Sequence, residues 1–328
     1  MKSITFFNNK GGVGKTTLLC NIAAYMSIYM KKKVCVIDAD PQCNATQYFF
    51  DDDVVDRIYD SSSRSTIYSI IEPLSLGEGY SKKMPIRRSE SFGLDVILGD
   101  PRLALIEDFF AREWASSKSG DIRGIKSSLA FAEILSKLQS YDFVLIDVSP
   151  SLGAINRAIL LSSKYFVSPM SIDIFSLRAF ENITEWLKDW RDDWDAALSN
   201  VKAGERNKIP ELDHGNAKFL GYVTQQYLAK TDSSGHRRAV NAYEKIQSRI
   251  DSVIDECFTD QELVEPPYKI GTVPNLFSLI PMSQSSHKPV FELLGKDGVV
   301  GAHFAKVQDS KKTFGRVAKQ LVKLVDND

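Results

Sequence analysis

The sequence predicts an α/β protein: a doubly wound, mostly parallel sheet with helices on both faces. Three observations carry this. Short apolar runs that read as buried strands alternate with stretches of helical periodicity along most of the 328 residues. The first run, Ile4 to Phe7, leads into a glycine-rich turn and then a helix. Two later runs, beginning at Val34 and Tyr141, end in aspartates, at the strand ends where open parallel sheets bind ligands. The expected organisation is one domain over residues 1–328, with loop elaborations at about 51–93 and 199–216.

Composition narrows the class. A hydrophobic share of 43% suffices for a large core. The formal net charge of −1 excludes a global basic field, so any nucleic-acid contact must use a local patch. Cys20, Cys35, Cys43 and Cys257 form no C-x-x-C pair and read as reduced, buried thiols. The four histidines lack ligand spacing, which argues against a metal site built from them. The chain opens straight into its first strand, and no apolar run is long enough to span a bilayer. A cytoplasmic protein with no membrane contact is expected.

The first unit carries the chemistry. Asn8 to Gly14 cannot be strand or helix, and from Thr16 a helix follows with Leu18, Leu19, Ile22, Ala23 and Met26 at helical spacing. Strand, glycine-rich turn and helix form the context of a phosphate-binding loop. Gly11, Gly12 and Gly14 let backbone N–H groups converge on phosphate oxygens. Lys15 supplies a point charge, and the Thr16 hydroxyl suits Mg²⁺. The plain pattern needs a glycine at position 9, where this chain has Asn9. A second lysine, Lys10, opens Lys-Gly-Gly-Val-Gly-Lys-Thr-Thr instead, ending at Thr17 and including Val13. That is the deviant Walker A motif. In it the chain resembles the ParA/MinD family of dimerising ATPases, closest to the ParA-like partition ATPases.

The resemblance implies a P-loop NTPase fold, ATP and Mg²⁺ as ligands, and a homodimer when ATP is bound. Lys10 of one protomer would reach the nucleotide of the other. A protein activator and nonspecific DNA are the partners it suggests, with nucleoid association. In the second unit, Asp38-Ala-Asp40-Pro-Gln resembles the family's switch I; this implies that Asp40 positions or polarises the attacking water and that Asp38 supports Mg²⁺ and the loop. Phe143 to Asp147 is a Walker B arrangement, with Asp147 on Mg²⁺. The loop that follows resembles switch II, with Ser149 where the family usually has proline.

The remaining elements are less specific. Residues 51–93 read as polar loops around Ile67 to Ile71; Lys82, Lys83, Arg87 and Arg88 form a small basic cluster, either solvated or binding. Leu94 to Asp100 reads as a strand, Pro101 onward as a helix, Ser116 to Gly124 as a loop and Leu129 to Leu138 as a helix. After a strand from Tyr165, a long helix places Trp186, Trp190 and Trp194 on one stripe. That stripe faces either the core or a protein partner. Phe219 to Gln225 is a strand whose end, at Gln225 or Gln226, approaches the adenine base in the family, as does Pro274-Asn275. A helix is expected from about Ser234 to Cys257; Arg237 and Arg238 on it are the candidate DNA contacts, with a solvated helix as the alternative. The final helix, about Lys311 to Val325, has an apolar side that either packs on the domain or mimics a membrane anchor.

Two functions follow. One is an ATP-gated switch in DNA segregation or cargo positioning. The other is a switch subunit of a regulatory or defence complex that docks a protein partner. An electron-transfer ATPase resembling the nitrogenase iron protein is set aside, because no cysteine lies between Cys43 and Cys257.

Overall fold

The computed structural model describes residues 1–61, 64–209, 217–227, 229–231, 237–239, 241–257 and 267–328. For residues 226–227, 229–231, 237–239, 241–245, 247 and 257 the backbone alone is described. Strands β1 (Lys2–Phe6), β2 (Val34–Asp38), β3 (Ile86–Ser89), β4 (Leu94–Ile97), β5 (Phe143–Asp147), β6 (Tyr165–Ser171) and β7 (Lys218–Tyr227) come first in chain order. A separate hairpin, β8 (Ala229–Thr231) and β9 (Arg237–Ala239), precedes β10 (Lys269–Pro274). The main sheet has eight strands in the order β10-β7-β6-β1-β5-β2-β4-β3. All its pairings are parallel except β3 with β4. This is the doubly wound α/β fold that the sequence predicts.

Every residue of β2 and β5 is buried, as both faces of a covered parallel sheet require. Alternation divides their side chains between two layers. Val34, Val36, Phe143 and Leu145 meet helices α1 (Lys15–Ile28), α2 (Asn44–Phe49) and α3 (Asp52–Tyr59). Cys35, Ile37, Val144 and Ile146 face α4 (Tyr68–Ser75), α5 (Glu107–Ser117), α6 (Ile122–Ser128), α7 (Ala130–Ser136), α8 (Ala154–Ser162), α9 (Ile174–Ser199) and α10 (Asn241–Cys257). Helices α11 (Leu279–Ser285) and α12 (His303–Asp326) complete the first layer. Register then brings the site together: Phe6 lies opposite Asp147, and Asp147 opposite Asp38. The three strand ends therefore share one row.

The structure differs from the sequence expectations in four places. Residues 51–93 hold α3, α4 and β3 rather than loops. The aspartates that suggested a loop are a helix start: the Asp51 carboxylate accepts from Val54 N at 2.9 Å, and Asp52 and Asp53 fill the first turn. Arg87 and Arg88 lie exposed on β3, an edge strand, where charge discourages further pairing. The expected loop at 116–124 shortens, because α6 begins at Ile122 behind an Asp121 cap. The helix expected from Ser234 starts at Asn241 instead. The backbones of Arg237 and Arg238 belong to β9, paired with β8, and their side chains lie outside the described residues.

The tryptophan stripe faces inward. Trp190 and Trp194 are buried, and Trp186 stacks on Phe7 with ring centroids 5.5 Å apart. Trp194 stacks on Trp114 of α5 at 5.9 Å. The stripe packs between the sheet and α5, with Trp186 partly buried. Phe314, Val317 and Leu321 of α12 are buried against α1 and β10, so its apolar side packs on the domain. No helix among the described residues is long and apolar enough to cross a membrane.

Candidate active site

The loop after β1 is held from both sides. The buried Asn8 side chain donates to Pro169 O at 2.8 Å and to Ser168 Oγ at 3.3 Å; its Oδ1 accepts from Lys10 N at 2.8 Å. On the β7 side, Gln225 Nε2 donates to Val13 O at 2.7 Å. Gly14 has φ +77°, and a Cβ there would stand 2.8 Å from Gln225 Oε1, so both conformation and space demand glycine. Gly14 is the N-cap of α1 and provides no side-chain cap. The first N–H groups of α1 are thus left for an anion, at the positive end of the helix dipole.

Lys15 is buried to 7% exposure. Burial lowers its pKa, while Asp147 and Asp40 pull it back up. Thr16 Oγ1 donates to Asp147 Oδ2 at 2.7 Å, and Asp147 Oδ1 is buried with no partner. Burial raises the Asp147 carboxyl, and the nearby Asp38 adds to this. A buried, unpartnered carboxylate oxygen beside a hydroxyl is the hard-oxygen corner that suits Mg²⁺. Asp40 is 4% exposed on the cleft wall, with Oδ1 accepting from Gln42 N at 2.9 Å. Burial raises its pKa against that N–H and Lys15.

Asp38 is turned elsewhere. It is fully buried; Oδ2 accepts from Thr46 N at 2.8 Å and Thr46 Oγ1 at 2.6 Å, and Oδ1 accepts from Asp40 N at 3.3 Å. This carboxylate is an anchor that fixes the start of α2 and the turn that carries Asp40. Lys10 also points away from its own cleft. Its Nζ lies 2.5 Å from Asp173 Oδ2, with both side chains about one-third exposed. Asp173 is the N-cap of α9, and Asp173 Oδ1 accepts from Ser176 N at 3.0 Å.

The cleft above α1 has a volume of about 740 Å³ and is lined by Gly12 to Thr17, Asp40 and Pro150 on the loop side. Its opposite wall includes Gln47, Tyr48 and Asp52 from the α2–α3 region, and Gln284, Ser285 and His287 from the end of α11. These residues form no sequence motif; they meet because α2 and α11 pack together, with His287 Nδ1 3.0 Å from Gln47 O. Of the expected base contacts, Gln225, Pro274 and Asn275 do not line this cleft, and the Gln226 side chain lies outside the described residues. Gln225 is buried against the loop, and Pro274 ends β10 in register with Tyr227. Asn275 Oδ1 closes a local turn by accepting from Phe277 N at 2.8 Å.

Comparison with known proteins agrees with this geometry. The AAA_31 family, an AAA domain, matches residues 1–200. A virulence plasmid ParA family protein, pGP5-D of Chlamydia psittaci, is 26% identical over 292 residues, covering 81% of this chain and 99% of its own. The sporulation initiation inhibitor protein Soj of Bacillus subtilis is 30% identical over 182 residues, 56% of this chain and 63% of its own. The crystal structure of protein DIP2308 from Corynebacterium diphtheriae is similar with a TM-score of 0.75 and 28% identity, and both chains are covered at 100%. The structure of pNOB8 ParA bound to nonspecific DNA shares the fold, with a TM-score of 0.62 at 20% identity, covering 100% of this chain and 99% of its own. With its two-lysine phosphate loop joined to Asp40 and Asp147 on neighbouring strand ends, the chain belongs to the ParA/MinD-like family of P-loop ATPases, within AAA_31.

Proposed function

We propose that this protein is a Mg²⁺-dependent ATPase that dimerises on binding ATP and acts as a switch in DNA segregation or cargo positioning. Residues 1–328 work as one unit in this reading, since both helical layers cover a single main sheet. Lys15 and the N–H groups of the loop hold the phosphates, while Thr16 and Asp147 hold Mg²⁺. When bound, the ion neutralises charge on the β- and γ-phosphates. Asp40 orients a water for in-line attack on the γ-phosphorus; the bond to the bridging oxygen breaks, and ADP and phosphate leave.

The observation that carries the switch is the position of Lys10. The loop has one lysine committed to the cleft and a second tied to Asp173 outside it. A cation at that place has no use in its own site but is available to a facing protomer once the Asp173 pair opens. A lysine supplied in trans stabilises transition-state charge much as an arginine finger does, an effect worth roughly 10³–10⁵ in rate. Moving from mostly monomer to mostly dimer needs a differential affinity on the order of 5 kcal/mol. The structural neighbour bound to nonspecific DNA supports the nucleic-acid part of the reading. The reading through a protein partner loses its aromatic anchor, because Trp190 and Trp194 are core residues.

The test is Asp40→Ala with ATP and Mg²⁺, followed by mass and DNA retention on one sample. The expected result is a doubled mass and DNA binding that weakens as salt rises. An unchanged mass would sink the switch. A dimer that ignores DNA would transfer the function to a protein partner.

A further inference from the structure

Helix α8 begins at the switch-like loop 149–153, and its start is not capped from within. Gly153 occupies the N-cap position with no side chain to offer. The cap comes from 47 residues away: Glu107, the first residue of α5, accepts from Ala154 N through Oε1 and from Ile155 N through Oε2, the latter at 3.3 Å. A Cβ at position 153 would stand 2.5 Å from Glu107 Oε1, so glycine is what admits the carboxylate. A negative charge here also meets the positive end of the α8 dipole.

The contact continues in both directions. Toward the cleft, Asn156 Nδ2 donates to Ser149 O and Ser151 O at 2.8 Å, which ties the loop to the first turn of α8. Pro150 of that loop lines the cleft and approaches Gly11. Away from the cleft, the Arg157 guanidinium of α8 lies 4.4 Å over the Trp114 ring of α5 and 5.2 Å from the Trp190 ring of α9. Trp114 itself stacks on Trp194. Helix α5 is thus fixed in the core and holds α8 by one carboxylate at its start and one aromatic–guanidinium stack a turn later.

We infer that Glu107 is a positioning residue for hydrolysis, setting the 149–153 loop and Pro150 against the phosphate loop through the start of α8. This deepens the ATPase reading and rests on it. The side chain touches no reacting atom, so its effect falls on turnover and not on nucleotide capture, which Lys15 and the α1 N-terminus provide. Losing a cap on this one helix start also makes the loop easier to open, whether or not nucleotide is present.

The experiment compares wild type, Glu107→Ala and Glu107→Gln by steady-state ATPase and by amide hydrogen exchange of residues 149–157 without nucleotide. For Glu107→Ala, kcat is expected to fall about tenfold, equal to ~1.4 kcal/mol of barrier, with KM within about twofold. Exchange across 149–157 should accelerate. Glu107→Gln keeps one acceptor oxygen and should lie between wild type and alanine in both measurements; it also serves if the alanine variant does not fold. Unchanged kcat in a folded variant would overturn the inference, as would equal loss of kcat and of ATP affinity. If wild type hydrolyses no ATP, the ATPase reading fails. The exchange data then judge the clamp alone, and unchanged exchange would refute it.

Discussion

Lys15 occupies a place that is hard on a cation: buried beneath a turn, with its charge tolerated because Asp40 and Asp147 face it. Replacing it by alanine should weaken ATP binding by at least roughly a hundredfold, the scale of a lost charge-assisted contact in a shielded site. Isothermal titration with Mg²⁺–ATP reads this directly. Lys10→Ala is the contrasting case. Because Lys10 is engaged with Asp173 outside the cleft, ATP affinity should stay within about threefold while turnover drops by roughly 10³ or more. Normal turnover would remove the in-trans role. Both lysines were legible in the sequence because the loop is contiguous and its residue types are restrictive. Asp38 was not. Its partner Thr46 lies eight residues on, and whether a strand-end carboxylate faces metal or helix depends on how α2 turns back. The Gln225 contact to Val13 was not legible for the same reason, since it spans 212 residues.

At the level of elements, the switch I turn is supported from the end of β4. Gly99 N donates to Thr46 Oγ1 at 2.8 Å, and the next residue, Asp100, is an almost fully buried carboxylate. It accepts from Arg102 Nε at 2.9 Å and Nη2 at 2.6 Å, and from Thr66 Oγ1 at 2.6 Å. Burial works to raise its pKa, but the Arg102 fork and the Thr66 hydroxyl outweigh it, and the carboxyl titrates below the ordinary range. A carboxyl depressed on folding contributes stability above the unfolded-state pKa, near 4, and loses it as pH falls through the lower folded value. Asp100→Asn should therefore destabilise by about 1–3 kcal/mol at pH 7, with the gap to wild type narrowing below about pH 4 in urea melts. A gap that stays constant to pH 3 would mean the carboxylate is not the cause. Elements with strong periodicity or a long apolar run were readable. Helices α3 and α6 were not, since each is short and begins with aspartates that also suit a turn. The register that aligns Phe6, Asp147 and Asp38 arises only on pairing.

For the whole molecule, the two central features are a near-neutral charge and a phosphate loop built with a spare cation. Neutrality means that DNA binding, if the ATP-bound form has it, comes from a local surface and should show a shallow salt slope. Arg237→Ala/Arg238→Ala should lower that slope by about 2 per protomer without changing dimer mass, measured by fluorescence anisotropy over a salt series. An unchanged slope moves the contact elsewhere. The central claim is that each site is completed by Lys10 of the facing chain. Mixing two inactive variants, Lys10→Ala and Asp40→Ala, tests it most directly. In a mixed dimer, the Lys10→Ala chain keeps its own Asp40 and receives Lys10 from its partner, so one complete site forms. Turnover should recover to about a quarter of wild type, because half of randomly mixed dimers are mixed and each holds one intact site of two. A mixture as inactive as its separate components would contradict the account.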